Sequence, residues 1–343
     1  MNSAAVFALL DDASPDGQAH AQSRLYTDHA GTLTCHDAAG WNAVLAQMEA
    51  ALARGQFAVP VLSYELGAHL LDIPAKPLTD MPLAQVLLFE RCERMTAQQA
   101  ASWVATRAVG TAPAGIADVR ANVDEDRFVD AIDRIRDYIA AGDTYQVNYT
   151  YRLRFDAFGS VFALYERLRA RQPVPYGALI GLPDGGALLS FSPELFVRHT
   201  AGTLLARPMK GTAPAGGDAE IDARRAADLA LDTKNRAENL MIVDLLRNDL
   251  GRVAQTGTVA VPKLFEVTRF GAVLQMTSTV RAQLRPDATL AEIFAALYPC
   301  GSITGAPKRR TMEIIDELEP DPRGVYTGAI GWFDPPASGQ AYG

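Results

Sequence analysis

The sequence predicts an α+β protein in which helices accompany strands that are mostly antiparallel. Short strand-like segments between residues 176 and 206 are separated by turns at hairpin spacing, at 183–186 and 201–202. Other stretches place apolar residues at helical spacing and end at a glycine, as in residues 40–54 before Gly55. Since hairpins join antiparallel neighbours, the strands are expected to form antiparallel sheets.

Composition and charge narrow the class of protein. The chain has 343 residues, of which 48% are hydrophobic, enough for a sizeable core in one large domain or two. A net charge of -8 without a basic cluster argues against nucleic acid or membrane partners. No signal peptide or spanning segment is evident, so a cytoplasmic location is expected. The three cysteines and five histidines lack the spacing of a disulfide framework or a zinc site.

Residues 1–115 are predicted to form an N-terminal subdomain. A loop at 111–115 would connect it to a second, larger domain at 116–343. The predicted elements are strands at 6–10, 23–26, 57–63 and 84–90 and helices at 40–54 and 96–107.

The second domain opens with a helix that Asp124 begins and Gly142 ends. Its expected buried stripe is Phe128, Ile132, Ile135 and Ile139. Residues 145–155 then alternate apolar and polar side chains, which predicts one continuous strand. Its polar face is compatible with solvent exposure or with the wall of a site.

The remaining elements follow from the same patterns. The segments at 176–206 are predicted to be one meander. Residues 325–333 read as a last strand with a bare edge, after which the chain ends on a turn with nothing returning. The other predicted elements are helices at 160–171, 219–231, 234–250 and 289–297 and strands at 259–267 and 272–284.

Lys210 follows the meander and is the first candidate for chemistry. Pro208 precedes it and Gly211 follows it, so its backbone has little freedom. On these residues alone it could also be a solvated lysine in a turn. Residues 301–308 form a second candidate, a small-residue loop leading into a helix with Pro307 at its first position, whose free amides could hold a carboxylate.

Five motifs resemble those of the chorismate-utilising enzymes and follow one another in the family's order. They are residues 142–148, 192–196, 208–212, 238–250 and 301–308. The family includes anthranilate, aminodeoxychorismate, isochorismate and salicylate synthases. The resemblance implies an α/β sandwich of two large, mostly antiparallel sheets that face each other, with helices outside and the active site between subdomains.

Two positions resemble the branch of this family that aminates chorismate at C4. Lys210 stands where the anthranilate synthases of the family carry alanine, and Gln146 stands where the water-adding members carry a lysine base. The implied product is 4-amino-4-deoxychorismate, a precursor of para-aminobenzoate and folate. The resemblance implies ammonia from a glutamine amidotransferase subunit, since no glutaminase signature is visible in the chain.

The resemblance also implies a role for each site residue. Lys210 would form a covalent intermediate and Glu194 would protonate the leaving hydroxyl, as a carboxylic acid with a raised pKa can. Glu238 would bind Mg²⁺, which prefers oxygen ligands. Glu238 is also compatible with a plain acidic residue in the first turn of a helix. The implied substrate-binding residues are Gln146, Gly211, Thr212, Ser302, Gly305 and Tyr326.

Two departures from the family pattern lead to alternatives. Gln275 stands where many members have histidine. The family's C-terminal strand, carboxylate site and metal-binding helix have no counterpart, so the C-terminal part of the catalytic domain is expected to be missing. The alternatives are therefore an anthranilate synthase component I or a catalytically incomplete fragment that binds a partner.

Overall fold

The computed structural model describes residues 6–14, 22–108, 113–336 and 341–343, and these form helices and antiparallel strands. The helices are α1 (Trp41–Ala53), α2 (Tyr64–Leu70), α3 (Ala97–Ala105), α4 (Glu125–Ala141), α5 (Val161–Arg171), α6 (Ala219–Leu231), α7 (Thr233–Gly251), α8 (Leu290–Leu297) and α9 (Lys308–Leu318). The strands are β1 (Phe7–Asp11), β2 (Ser23–Cys35), β3 (Phe57–Leu62), β4 (Ala84–Met95), β5 (Gly115–Ala121), β6 (Gln146–Val147), β7 (Leu153–Phe158), β8 (Tyr176–Gly181), β9 (Ala187–Ser192), β10 (Leu195–Thr200), β11 (Thr203–Arg207), β12 (Met209–Pro214), β13 (Ala260–Phe270), β14 (Val273–Gln283), β15 (Gly305–Ala306), β16 (Ala329–Ile330) and β17 (Ala341–Tyr342).

Two large antiparallel sheets carry the fold. The first has the strand order β16-β3-β4-β2-β1-β8-β9, and the second has β12-β14-β11-β10-β17, with β13 on β14. Phe333 forms single bridges with Ala58 of the first sheet and Tyr342 of the second. The predicted α+β class with two antiparallel sheets is therefore confirmed.

The predicted boundary at residue 115 falls between strands of one sheet. β1 pairs with β2 on one side and with β8, more than 160 residues later along the chain, on the other. β16 likewise pairs with β3, so the first sheet takes strands from both sides of the boundary. The division into two domains stays a prediction.

The predicted meander at 176–206 is wrong in one place. β8 pairs with β9 and β10 pairs with β11, as hairpins. However, β9 belongs to the first sheet and β10 to the second, so the chain changes sheets at Pro193 and Glu194. Because proline lacks a backbone N–H and fixes φ, pairing is readily interrupted there.

Aspartates cap the starts of three helices, and Asp124 was predicted to begin its helix. The carboxylates of Asp124, Asp218 and Asp232 accept hydrogen bonds from backbone N–H groups in the first turns of α4, α6 and α7. Gly142 ends α4 with φ of 84°, which a residue with a side chain adopts only at a cost. Among the described residues, no helix is both long and apolar enough to cross a membrane.

The continuous strand predicted at 145–155 is wrong. Only β6 and β7 are paired, and the residues between them have no neighbouring strand. Their alternate N–H groups instead find three separate acceptors, namely the carbonyl of Thr304, the carboxylate of Glu319 and the side chain of Asn122. The alternation with a period of two therefore reflected an extended backbone. Its N–H groups find hydrogen-bond acceptors here without a neighbouring strand.

The predicted buried stripe of α4 is only partly correct. Ile135 is buried, whereas Phe128 is 38% and Ile139 is 42% exposed. Phe128 instead contacts the rings of Tyr149 and Tyr151 on the extended segment. Helix α4 therefore lies at the surface and buries fewer of its apolar side chains than the sequence pattern predicted.

The strand predicted at 325–333 is reduced to β16 and the single bridges of Phe333. The expectation that nothing returns after it is also wrong. β17 pairs with β10 at His199 and Thr200, and Trp332 and Gly343 exchange backbone hydrogen bonds. These pairings partly cover the edge that was predicted to be bare.

Candidate active site

Lys210 lies at an irregularity in β12. Met209 pairs with Thr277 of β14 and Thr212 pairs with Gln275, but the register shifts between these pairs. Gly211 has φ of 103°, and a Cβ there would lie 3.2 Å from Asn235 and Met276. A bulge of this kind bends the strand and redirects a side chain, here that of Lys210.

The amine of Lys210 lies near two carboxylates. Burial lowers the pKa of Lys210 from its ordinary value, and the negative charges of Glu194 and Glu238 oppose this shift. The three side chains are therefore close enough to interact electrostatically. A lysine with a lowered pKa is more readily neutral, as a nucleophilic amine must be.

Glu194 lies where the chain passes from the first sheet to the second. The Ser302 hydroxyl donates a hydrogen bond of 2.6 Å to its carboxylate. Its backbone N–H donates to the Ser192 hydroxyl at 3.3 Å, which shapes the crossing. Burial raises the pKa of Glu194 to about 7, although Ser302 and Lys210 favour the charged form. Near neutral pH the carboxyl can therefore donate a proton.

Ser302 and Cys300 belong to the small-residue loop. Ser302 is 5% exposed and sits in a short 3₁₀ turn, Gly301–Ile303. At Gly301 a Cβ would lie 2.3 Å from a methyl carbon of Leu245, so the loop packs tightly on α7. The sulfur of Cys300 lies 3.1 Å from the Ser302 hydroxyl and 3.9 Å from the Glu194 carboxylate. No pattern in the sequence predicted that this cysteine belongs to the site.

The Cys300 thiol is neutral at physiological pH. Burial, with the neighbouring Glu194 charge, raises its pKa to about 12. It can therefore donate a weak hydrogen bond but is not a thiolate nucleophile.

Gln146 and Gly305 both belong to the short ribbon of β6 and β15, in which Gly305 pairs with Val147 and Ala306 pairs with Gln146. Gly305 has φ of 145°, and a Cβ there would lie 1.9 Å from the Gln146 carbonyl oxygen. The side-chain oxygen of Gln146 is buried and has no hydrogen-bond partner among the described residues. Such an oxygen is open to a donor that is not part of the chain.

Glu238 is the one predicted metal ligand, and it lies half-buried on α7 near Lys210. Within the described ranges, no group of three or more His, Cys, Asp or Glu side chains could hold a metal ion. A lone carboxylate is still compatible with Mg²⁺, which often takes one or two protein carboxylates and completes its shell with water and substrate oxygens.

The other two predicted substrate residues, Thr212 and Tyr326, are exposed. The exposed Thr212 donates its hydroxyl hydrogen to Gln275 at 3.0 Å. Tyr326 is 58% exposed and lines an open cleft with residues 151–154. The structure thus brings together Glu194, Lys210, Glu238 and Ser302, and their roles stay predictions.

Sequence reasoning missed a buried arginine that holds two site segments together. Arg323 is 2% exposed and forms a bidentate pair with Glu319 at 2.9 and 2.6 Å. It also donates to the carbonyls of Ile303, at 2.9 Å, and Asn148, at 2.6 Å. Ile303 follows Ser302 and Asn148 lies just after β6, so one guanidinium joins both. The spacing of four between Glu319 and Arg323 was the available signal.

Solved structures share this fold. A putative 2,3-dihydroxybenzoate-specific isochorismate synthase, DhbC from Bacillus anthracis, has a TM-score of 0.73 at 19% identity and covers 100% of this chain and 84% of its own. Anthranilate synthase component I from Streptococcus pneumoniae has a TM-score of 0.71 at 24% identity, covering 93% and 81%. At these identities the likeness shows that the chain shares the fold of these proteins.

The family model for chorismate binding enzymes matches residues 12–341, and the chain belongs to this family. Aminodeoxychorismate synthase component 1 of Klebsiella aerogenes is 46% identical over 214 residues, 62% of this chain and 47% of that protein. Anthranilate synthase component 1 of Streptomyces coelicolor is 40% identical over 260 residues, 76% of this chain and 51% of that protein. The chain thus spans about half the length of the curated relatives it matches.

Proposed function

We propose that the chain carries the chorismate-aminating activity of an aminodeoxychorismate synthase component 1, making 4-amino-4-deoxychorismate for para-aminobenzoate and folate synthesis. The observation that carries the proposal is the half-buried side chain of Lys210 near the carboxylates of Glu194 and Glu238, with its pKa lowered by burial. The relatives of that name support it, although relatives named anthranilate synthase are of similar identity.

In the first step Lys210 is the nucleophile and Glu194 is the acid. A bond forms between the neutral amine and C2 of the ring, the ring electrons shift, and the C4–oxygen bond breaks. Hydroxide is a poor leaving group, so the proton of Glu194 leaves with it as water. The raised pKa of Glu194, about 7, supplies that proton near neutral pH.

In the second step ammonia attacks C4 and the bond between Lys210 and C2 breaks. Before this step the Lys210 nitrogen, positively charged after its attack, returns a proton to the Glu194 carboxylate. The ring electrons then shift back, and the lysine leaves as a neutral amine that takes its proton from the added nitrogen. Ammonia would come from a glutamine amidotransferase subunit, as the word component in the relatives' names suggests. The buried oxygen of Gln146 is free to orient a donor group of the substrate or of ammonia.

Glu238 would hold Mg²⁺ together with water and the substrate carboxylate. The ion would neutralise the charge of that carboxylate when bound. The other roles in the reaction belong to side chains of the protein. Ser302 orients the Glu194 carboxyl through its 2.6 Å hydrogen bond.

Lys210→Ala tests the covalent route. The full chain is incubated with chorismate, Mg²⁺ and ammonium, and the product is identified by mass and by the position of its amino group. We expect 4-amino-4-deoxychorismate from the unaltered chain and a loss of at least about a hundredfold in Lys210→Ala, since covalent routes fail without their nucleophile. Lys263→Ala, at an exposed lysine paired with Glu266, is the matched control and should keep full activity.

Three results would contradict the proposal. Anthranilate as the product would select the other enzyme. Full activity of Lys210→Ala would remove the covalent step. An unaltered chain that is folded and inert, but that binds a glutaminase, would make it a partner-binding fragment.

A further inference from the structure

Asn239 follows Glu238 on α7 and is 1% exposed. Its side-chain nitrogen donates to the carbonyl oxygen of Lys210 at 3.2 Å and to that of Met276 at 3.3 Å. Lys210 belongs to β12 and Met276 to β14, so one amide group reaches both strands.

This contact falls where regular pairing is interrupted. The register of β12 and β14 is lost between the pair Met209 and Thr277 and the pair Thr212 and Gln275. Buried carbonyl groups need hydrogen-bond donors, and the bulge disturbs the ladder that would supply them. The two hydrogens of the Asn239 amide take the place of ladder donors at this point.

The orientation of the amide is fixed by Ser278. The Ser278 hydroxyl accepts a hydrogen bond from the N–H of Phe265 at 3.1 Å and lies 2.6 Å from the Asn239 oxygen, to which it donates. A flipped amide would place its oxygen against two carbonyl oxygens. Asn239 therefore has both donors and its acceptor engaged, in the arrangement that reaches Lys210.

We propose that Asn239 is a positioning residue that fixes the backbone of Lys210 against helix α7 and so holds its amine beside Glu194 and Glu238. The inference deepens the proposed function and rests on it only for the consequence in catalysis. The geometric part concerns where the Lys210 amine lies, and it can be measured without turnover.

The measurement is competitive acetylation of the full chain with trace acetic anhydride across a pH range. Mass spectrometry quantifies modification at Lys210, with the exposed Lys263 as internal reference. In the unaltered chain the midpoint should lie below the ordinary lysine pKa of 10.5. In Asn239→Ala it should move up toward that value, and labelling of Lys210 at high pH should become severalfold faster, because the amine gains contact with water.

Ser278→Ala is the second variant and tests the network with Asn239 in place. Ser278→Ala should shift the labelling midpoint and the labelling rate of Lys210 in the same direction as Asn239→Ala, but by less. The shift in the double variant should be no larger than that in Asn239→Ala alone. Leu246→Ala is the matched control, since it loosens the same helix at a fully packed position away from Lys210. It should lower stability and leave Lys210 labelling unchanged.

The proposal is overturned if labelling of Lys210 is unchanged in both Asn239→Ala and Ser278→Ala, or if Leu246→Ala changes it equally. In the amination assay Asn239→Ala should lower kcat by about a hundredfold with little change in KM, since displacement of a reacting group by about 1 Å has that effect. An inert unaltered chain that shows the expected labelling pattern would refute the proposed function and leave the positioning role intact.

Discussion

Glu194 shows how one side chain acquires a working pKa from its surroundings. Burial makes its charged form unfavourable, while the Ser302 hydroxyl and the Lys210 amine offset part of that effect. The result is a carboxyl that exchanges its proton near neutral pH. A buried ionisable carboxyl is unfavourable for folding stability, whereas a site that needs an acid benefits from one at this position.

Glu194→Gln is expected to stabilise the protein above neutral pH. The folded pKa of about 7 exceeds the ordinary 4.5, so the folded state binds more protons between these values and its stability falls as pH rises through them. The full difference is on the order of 3 kcal/mol, at about 1.4 kcal/mol per pKa unit. Glutamine carries no charge and still accepts the Ser302 hydrogen bond.

Urea unfolding of Glu194→Gln and of the unaltered chain at pH 5 and pH 8 measures this effect. The gain of the variant should be larger at pH 8. An equal difference at both pH values would mean that Glu194 is not held at a raised pKa.

Among the secondary-structure elements, most helices were predictable, although α2 was missed, and interruptions of strands were not. The capping residue Asp124 located α4, and apolar periodicity located α6 and α7 within one or two residues. The change of sheet at Glu194 and the bulge at Lys210 depend instead on which distant strand pairs with each segment. Such pairings are long-range, so local alternation at 145–155 and 176–206 could not reveal them.

The same limit applies to the site. The lysine, the two glutamates and the serine were recognisable as members of family motifs. Asn239 was a buried polar residue on an apolar helix face, a signal that could have been followed. Cys300 contacts Glu194 and Arg323 contacts Asn148, both far away in sequence, and no local pattern records such contacts. Only the spacing of Arg323 from Glu319 was a local signal.

The ribbon of β6 and β15 gives a test of one element. In Gly305→Ala the new Cβ would lie 1.9 Å from the Gln146 carbonyl oxygen, on backbone with φ of 145°. We expect a loss of about 3 kcal/mol or more in unfolding free energy from the clash and the strained backbone. Gly251→Ala is the control, because a Cβ at this last residue of α7 meets nothing within 4 Å.

Chemical denaturation of both glycine variants and of the unaltered chain measures these free energies of unfolding. The control should be neutral or more stable by up to about 1 kcal/mol. Equal stability of Gly305→Ala and the unaltered chain would show that the ribbon does not close on Gly305 as described.

Over the whole molecule, contacts between residues far apart in sequence hold the sheets in place. Asp334 is buried and accepts hydrogen bonds from Arg24 at 2.7 Å and Arg94 at 3.1 Å. The Arg24 guanidinium also lies 3.3 Å from the centre of the Trp332 ring. Strands β2 and β4 are thus tied to a segment that follows β16.

Asp334→Ala is expected to lower stability by about 3–5 kcal/mol, because Arg24 would remain as a buried charge without its partner. Asp244→Ala removes an exposed partner of Arg247 and should change stability by less than about 0.5 kcal/mol. Thermal unfolding of the two variants provides the comparison. Similar midpoints would show that Arg24 finds solvent or another acid.

Three of the proposed chemical groups occupy places where regular strand pairing stops. Glu194 stands on a crossing between sheets, Lys210 on a bulge, and Ser302 on a tight turn. Replacing a side chain at such a place disturbs few ladder bonds, so mutation can alter reactivity while the scaffold survives. One architecture can thereby diversify through single exchanges, which suits a family whose relatives carry the names of different synthases.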